Sequence, residues 1–116
     1  MSIRRIGVGP RMSAAVVHGG TVYLAGQVAD KKKLAGVAEQ TAEVLSIIDA
    51  LLKEAGSDKT KILSATIYLP DISTFAQMNG EWDKWVSPGN TPARATVEAK
   101  LAAPEYKVEI AVVAAA

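Results

Sequence analysis

A chain of 116 residues has the length of one domain, and with 49% hydrophobic residues it can bury a core and is not a disordered chain. Thirteen basic and twelve acidic residues leave a net charge of +1, which excludes the clustered positive footprint of a nucleic-acid binder. With no cysteine and one histidine, His18, the chain has no disulfide, thiolate catalyst, cysteine-based zinc site or His–His metal pair.

The first residues, MSIRRIGVGPRM, lack the apolar core of a signal peptide, and no apolar run approaches the roughly 20 residues of a membrane helix. The expectation is a soluble, cytoplasmic protein with no membrane or nucleic-acid partner. A short strand is possible at Ile3–Ile6. The segment AAVVHGGTVYLA, 14–25, reads as two strands around Gly19-Gly20, since Gly-Gly supplies the positive φ angles of a tight hairpin. His18 abuts the turn as a strand-end polar residue, with a catalytic base as the alternative. Lys31-Lys32-Lys33 reads as a solvated surface turn, with an anion contact as its alternative.

From Val37 to Ala55 the apolar residues Val37, Val44, Leu45, Ile48, Leu51, Leu52 and Ala55, with the methyl of Thr41, trace one helical stripe. Gly56 is the stop signal. KILSATIYLP, 61–70, is a strand apolar on both faces and closed by Pro70. Asp71 or Ser73 can cap a second helix, Ser73–Val86, with Phe75, Met78, Trp82, Trp85 and Val86 on its apolar side. Asn79 lies on nearly the same side.

ARATVEAKL, 93–101, alternates strictly: Ala93, Ala95, Val97, Ala99 and Leu101 on one face, Arg94, Thr96, Glu98 and Lys100 on the other. The closing strand, YKVEIAVVAAA, is apolar on both faces except for Glu109. This order of elements predicts a single α+β domain over 1–116, a two-layer sandwich of a mixed β-sheet with two helices on one face. A last strand so apolar on both sides argues that the second sheet face is covered as well, by another subunit.

Arg94 and Glu109 stand fifteen residues apart on consecutive strands. By pattern Arg94 is an ordinary exposed charge, whereas a carboxylate between Val108 and Ile110 must be at an edge, paired or functional, because unpaired burial is costly. There is no Walker loop, G-x-S-x-G, H-E-x-x-H or G-x-G-x-x-G.

YLAGQVA (23–29), TIYLPDISTFAQMNGEWDKW (66–85), TPARATVEAKL (91–101) and YKVEIAVVA (106–114) together resemble the Rid family, the reactive intermediate deaminases, also called the YjgF or L-PSP endoribonuclease family. The most specific part is Pro-Ala-Arg followed fifteen residues later by the Glu of KVEI. The resemblance implies a chorismate-mutase-like subunit, a homotrimer and active sites in the clefts between subunits. It implies hydrolysis of 2-imino acids and enamines of the 2-aminoacrylate type to 2-oxo acids and ammonia. Arg94 would hold the substrate carboxylate and Glu109 a hydrolytic water, with no metal or organic cofactor. The residue types suit those roles: a guanidinium grips a carboxylate bidentately, and a carboxylate can orient or deprotonate water.

The same resemblance places Thr96 at the substrate through its backbone, and Arg11, Ala25, Asn79 and Trp82 around it. Arg11 replaces a tyrosine, Ala25 a serine, Trp82 frequently a tyrosine, and Thr96 a cysteine of many members. With that wall altered, a non-catalytic trimer that binds 2-oxo acids is the alternative to the deaminase. RNA cleavage comes only from the family's older name, and the balanced charge and single histidine oppose it.

Overall fold

The computed structural model describes residues 1–116. Six strands and two helices follow in order: β1 (Arg4–Val8), β2 (Ser13–His18), β3 (Thr21–Leu24), α1 (Val37–Glu54), β4 (Ile62–Leu69), α2 (Phe75–Trp85), β5 (Ala93–Glu98) and β6 (Glu109–Ala115). Gly19 and Gly20, at φ +59° and +81°, close the β2–β3 hairpin as the sequence requires. Asp71 caps not α2 itself but a 3₁₀ turn, Ile72–Thr74, that leads into it; its carboxylate accepts from the Ser73 N–H at 3.0 Å.

The sheet runs β1-β2-β3-β6-β4-β5. All its pairs are antiparallel except β4–β5, which is parallel. The chain therefore crosses twice through a helix, from β3 over β6 to β4 and from β4 to β5. Both crossovers move in the same direction across the sheet, so their common right-handedness puts both helices on one face. Under them lie Val22 and Leu24 of β3, Ala65, Ile67 and Leu69 of β4, and Ile110, Val112 and Ala114 of β6, all buried. From α1 come Val44, Leu45, Ile48 and Leu52, the stripe read from sequence. No helix is long and apolar enough to cross a membrane.

In β5 the faces are reversed from the simple reading of its alternation. Its apolar residues Ala93, Ala95 and Val97 are exposed on the face away from the helices, whereas Arg94 and Thr96 are half-buried. The physical reason is that β5 is an edge strand overlain by α2, whose aromatic rings receive the stem and guanidinium of Arg94.

Two polar side chains fasten the loops to α1. Gln40 is fully buried; its Nε2 donates to the carbonyls of Lys33, Ala35 and Glu105 at 3.0, 3.1 and 2.8 Å, and its Oε1 accepts from the Lys107 N–H at 2.8 Å. Glu43 accepts the backbone N–H groups of Asp30, Lys31 and Lys32 at 3.0, 2.9 and 2.9 Å. The Lys31–Lys33 run is thus a surface turn whose lysines form no ion pair, fastened to Glu43 by backbone N–H groups. The Lys31 N–H first, and with it the other two and the Lys31 charge, holds the Glu43 carboxyl below its ordinary range.

Replacing Gln40 with Leu would leave three carbonyls and one N–H without their partner, and is expected to cost about 2–4 kcal/mol in urea unfolding. Because the folded Glu43 carboxyl is the more acidic, its contribution is present above the unfolded value and is lost as pH falls. The stability gap between wild type and Glu43→Gln should therefore shrink from about pH 6 to about pH 3, read by thermal unfolding across that range.

Candidate functional site

Arg94 rises from β5 on the helix-covered face. Its Cζ lies 5.1 Å from the centre of the Trp82 ring and 5.8 Å from that of Phe75. These two residues are seven positions apart, two turns along one side of α2. Such contacts orient a guanidinium without neutralising it. Arg94 makes no hydrogen bond and no ion pair; the chain's single ion pair joins Lys84 to Glu81. Trp82 is itself fixed against Trp85, whose indole N–H donates to Asp49 of α1 at 2.9 Å.

Two further polar atoms in this part of the fold lack partners. The Asn79 Oδ1 and Thr96 Oγ1 are buried with no hydrogen bond. Buried polar atoms are nearly always paired, and an unpaired one marks a place where a ligand or water completes the structure. The free cationic fork held against two aromatic rings is the group of this half-site that can grip a small anion.

Glu109 opens β6 on the opposite face. Its strand partner is Tyr68 of β4, and Tyr68 in turn pairs with Val97 of β5, so these three side chains project together away from the helices. A cleft of about 400 Å³ is lined there by Gly26, Tyr68, Ala99, Lys100, Leu101, Glu109 and Ala111. Gly26 precedes Gln27, which exchanges both backbone hydrogen bonds with Ile110 at 2.8 and 3.1 Å. That pairing brings the Gly26 backbone against the Glu109 carboxyl group: a Cβ on residue 26 would stand 2.9 Å from the Glu109 Cδ, closer than real Cβ atoms approach. Glycine here makes the seat in which the carboxylate sits.

Arg94 and Glu109 therefore do not meet within one chain. Although consecutive in sequence, β5 and β6 are separated by β4. Arg94 pairs with Ala65, three residues before the Tyr68 that pairs with Glu109. Two strand spacings and three residues put their Cα atoms roughly 14 Å apart, with side chains on opposite faces.

The other residues singled out by sequence divide between the same two half-sites. Asn79, Trp82 and Thr96 belong with Arg94. The β2–β3 register carries Ala25 opposite Ala14, to whose carbonyl its N–H donates at 2.9 Å, and the exposed Arg11 lies in the turn just before β2. Both are at the end of the sheet where Gly26 and Glu109 sit. Phe75 and Gly26 were not picked out; the seven-residue spacing of Phe75 and Trp82 was a usable signal, whereas nothing local to Gly26 announces Glu109. His18 is exposed at the far end of β2 and touches neither half-site.

The family model described as Endoribonuclease L-PSP matches residues 3–116. The RutC family protein YoaB of Escherichia coli is 48% identical over 115 residues, 99% of each chain. The rat protein named 2-iminobutanoate/2-iminopropanoate deaminase is 33% identical over 107 residues, 88% of this chain and 77% of its own. The crystal structure of a YjgF-family protein of Neisseria meningitidis is 51% identical, covers 99% of this chain and 95% of its own, and superposes with a TM-score of 0.96.

The contact between Gly26 and Glu109 is testable by its non-additivity. Gly26→Ala is expected to push the flexible Glu109 carboxylate out of its seat at a cost below about 1 kcal/mol. In the Glu109→Ala background most of that loss should disappear, because the atoms it collides with are gone. Equilibrium unfolding of the four proteins of this cycle checks it.

Proposed function

Because the chain belongs to the endoribonuclease L-PSP family, the family of the YjgF and RutC proteins, we propose that it hydrolyses 2-imino acids to 2-oxo acids and ammonia at sites shared between copies of the chain. The observation that carries this reading is the pair of incomplete half-sites, a free Arg94 fork on one face of the sheet and a seated Glu109 on the other. The rat relative's name supplies the reaction class.

In this reading Arg94 of one copy takes the substrate carboxylate bidentately, and Trp82 keeps the guanidinium plane in place. Glu109 of the neighbouring copy orients a water at the imine carbon. It accepts one water proton as the C–O bond forms and passes it to the nitrogen, and the carbinolamine's hydroxyl proton follows the same route as the C–N bond breaks, so that both protons leave on ammonia. The substrate loses nitrogen as ammonia and gains the water oxygen as its 2-oxo group. The uncovered apolar parity of β5 (Ala93, Ala95 and Val97) and the exposed Tyr23 of β3 support burial of the open face against another copy. A contact joining unlike halves repeats around an axis, which agrees with a closed homotrimer.

The test is complementation. Imine released by an amino-acid oxidase is trapped with semicarbazide, and its loss on adding the protein is followed. Arg94→Ala and Glu109→Ala should each lose activity by about a hundredfold or more. Unfolded together in equal amounts and refolded, the two inactive variants should regain about one quarter of wild-type activity, since one shared site in four then receives both intact residues. A mixture as inactive as its components would rule out the shared site. Binding of 2-oxo acids without imine loss by wild type would favour the non-catalytic reading instead.

A further inference from the structure

We infer that Phe75 selects the substrate's side chain, and that the acids this site takes carry a bulky apolar group, aryl groups above all. The inference rests on the hydrolytic reading for its chemistry and on different atoms for its geometry. Phe75 is the first residue of α2 and lies on the same side as Trp82, yet it is 41% exposed where Trp82 is 5% exposed. Both rings flank the Arg94 guanidinium, at 5.8 and 5.1 Å from its Cζ. Trp82 is the inner wall, and Phe75 is the rim.

The polar atoms set the direction in which an acid enters. The unpaired, buried Oδ1 of Asn79 and Oγ1 of Thr96 form a polar floor. The Thr96 hydroxyl can donate to the acid's carboxylate and the Asn79 oxygen can accept from its imine N–H, which turns the polar end of the acid inwards. A carboxylate held on the N–H edge of Arg94 lies in the guanidinium plane, which leaves the rest of the acid to extend along the rings beside it. The exposed part of Phe75 is the apolar surface on that outward path. A methyl side chain covers little of this ring, whereas a phenyl or isobutyl group removes substantial apolar area from water on both partners. A polar rim would have favoured small or charged acids; an exposed phenyl ring next to the anion fork favours large apolar ones.

The experiment uses the full-length protein with pyruvate and phenylpyruvate as probes, titrated by calorimetry and by tryptophan fluorescence. Wild type is expected to bind phenylpyruvate about tenfold more tightly than pyruvate. Phe75→Ala should bring that ratio near one, any loss from a less firmly held Arg94 being common to both acids, and Phe75→Tyr should preserve the ratio. The exposure of Phe75 makes these variants safe for the fold. Equal affinities in wild type, a ratio unchanged in Phe75→Ala, or no binding of either acid would overturn the inference. Turnover separates it from the reading beneath it. Imines from alanine and phenylalanine consumed with equal KM would leave the hydrolase standing and remove the selectivity. A ratio that collapses in Phe75→Ala, with neither imine consumed, would leave the selectivity standing and remove the hydrolase.

Discussion

Side chains of a β-strand alternate between its two faces, and in this chain that alternation governs everything the site can do. Arg94 occupies the parity of β5 that faces α2, and Glu109 the parity of β6 that faces away. Moving either to the other face would require slipping its strand by one residue, which would carry Ile110 and Val112 out of the core or Ala93 and Ala95 under α2. The burial of β6 is thus what holds Glu109 on the open face. The separation of the two residues follows from core packing and is not an adjustable detail of a loop.

The approach to Glu109 is constrained from its other side as well. The connection from β5 to β6 has little regular structure, yet Gln40 binds the carbonyl of Glu105 and the N–H of Lys107, within four residues of Glu109. The same amide holds the Lys33 and Ala35 carbonyls, and one helical turn further along α1 Glu43 gathers the N–H groups of 30–32. One turn of a rigid helix therefore fixes both the loop that leaves Gly26 and the loop that arrives at Glu109. A buried amide with all its groups paired suits this use, because leaving any of them unpaired would be costly. The seat and the carboxylate that fills it are referred to a common frame.

Much of the architecture was legible because it rests on short-range physics. The stripe from Val37 to Ala55 and the Gly19-Gly20 hairpin are local patterns that found their elements, and the strict alternation of 93–101 found a strand that ends at Glu98. Alternation states that a strand has two faces, but which face is inward depends on what packs there. For β5 the neighbour is an aromatic helix side, and a long guanidinium stem suits it better than alanine methyls do. Strand adjacency was equally invisible: β4 enters between β5 and β6 through a crossover that no local pattern records. Gln40, Glu43 and Gly26 were missed for the same reason. The partners that give them their importance, Glu105 and Lys107 for Gln40 and Glu109 for Gly26, lie far along the chain, and the nearer ones of Gln40 and Glu43 are loop backbone groups that carry no side-chain signal.

The way Arg94 is held bears on what it can hold. A carboxylate partner would fix the guanidinium more firmly, but it would occupy the planar edge and cancel the charge that the proposed function assigns to the substrate acid. Two aromatic rings hold the cation instead, their centres 5.8 and 5.1 Å from its Cζ, at roughly 0.5–1 kcal/mol each, and no hydrogen bond within the chain occupies its N–H groups. The residue is therefore oriented and half-desolvated in advance, with its charge uncompensated. The cost of that arrangement is borne by the packing of α2, through the Trp82–Trp85 contact and the bond from Trp85 to Asp49. Those contacts tie the receptor to α1, the helix whose Gln40 anchors the approach to Glu109, so both half-sites depend on the same layer of the fold although they open on opposite faces of it.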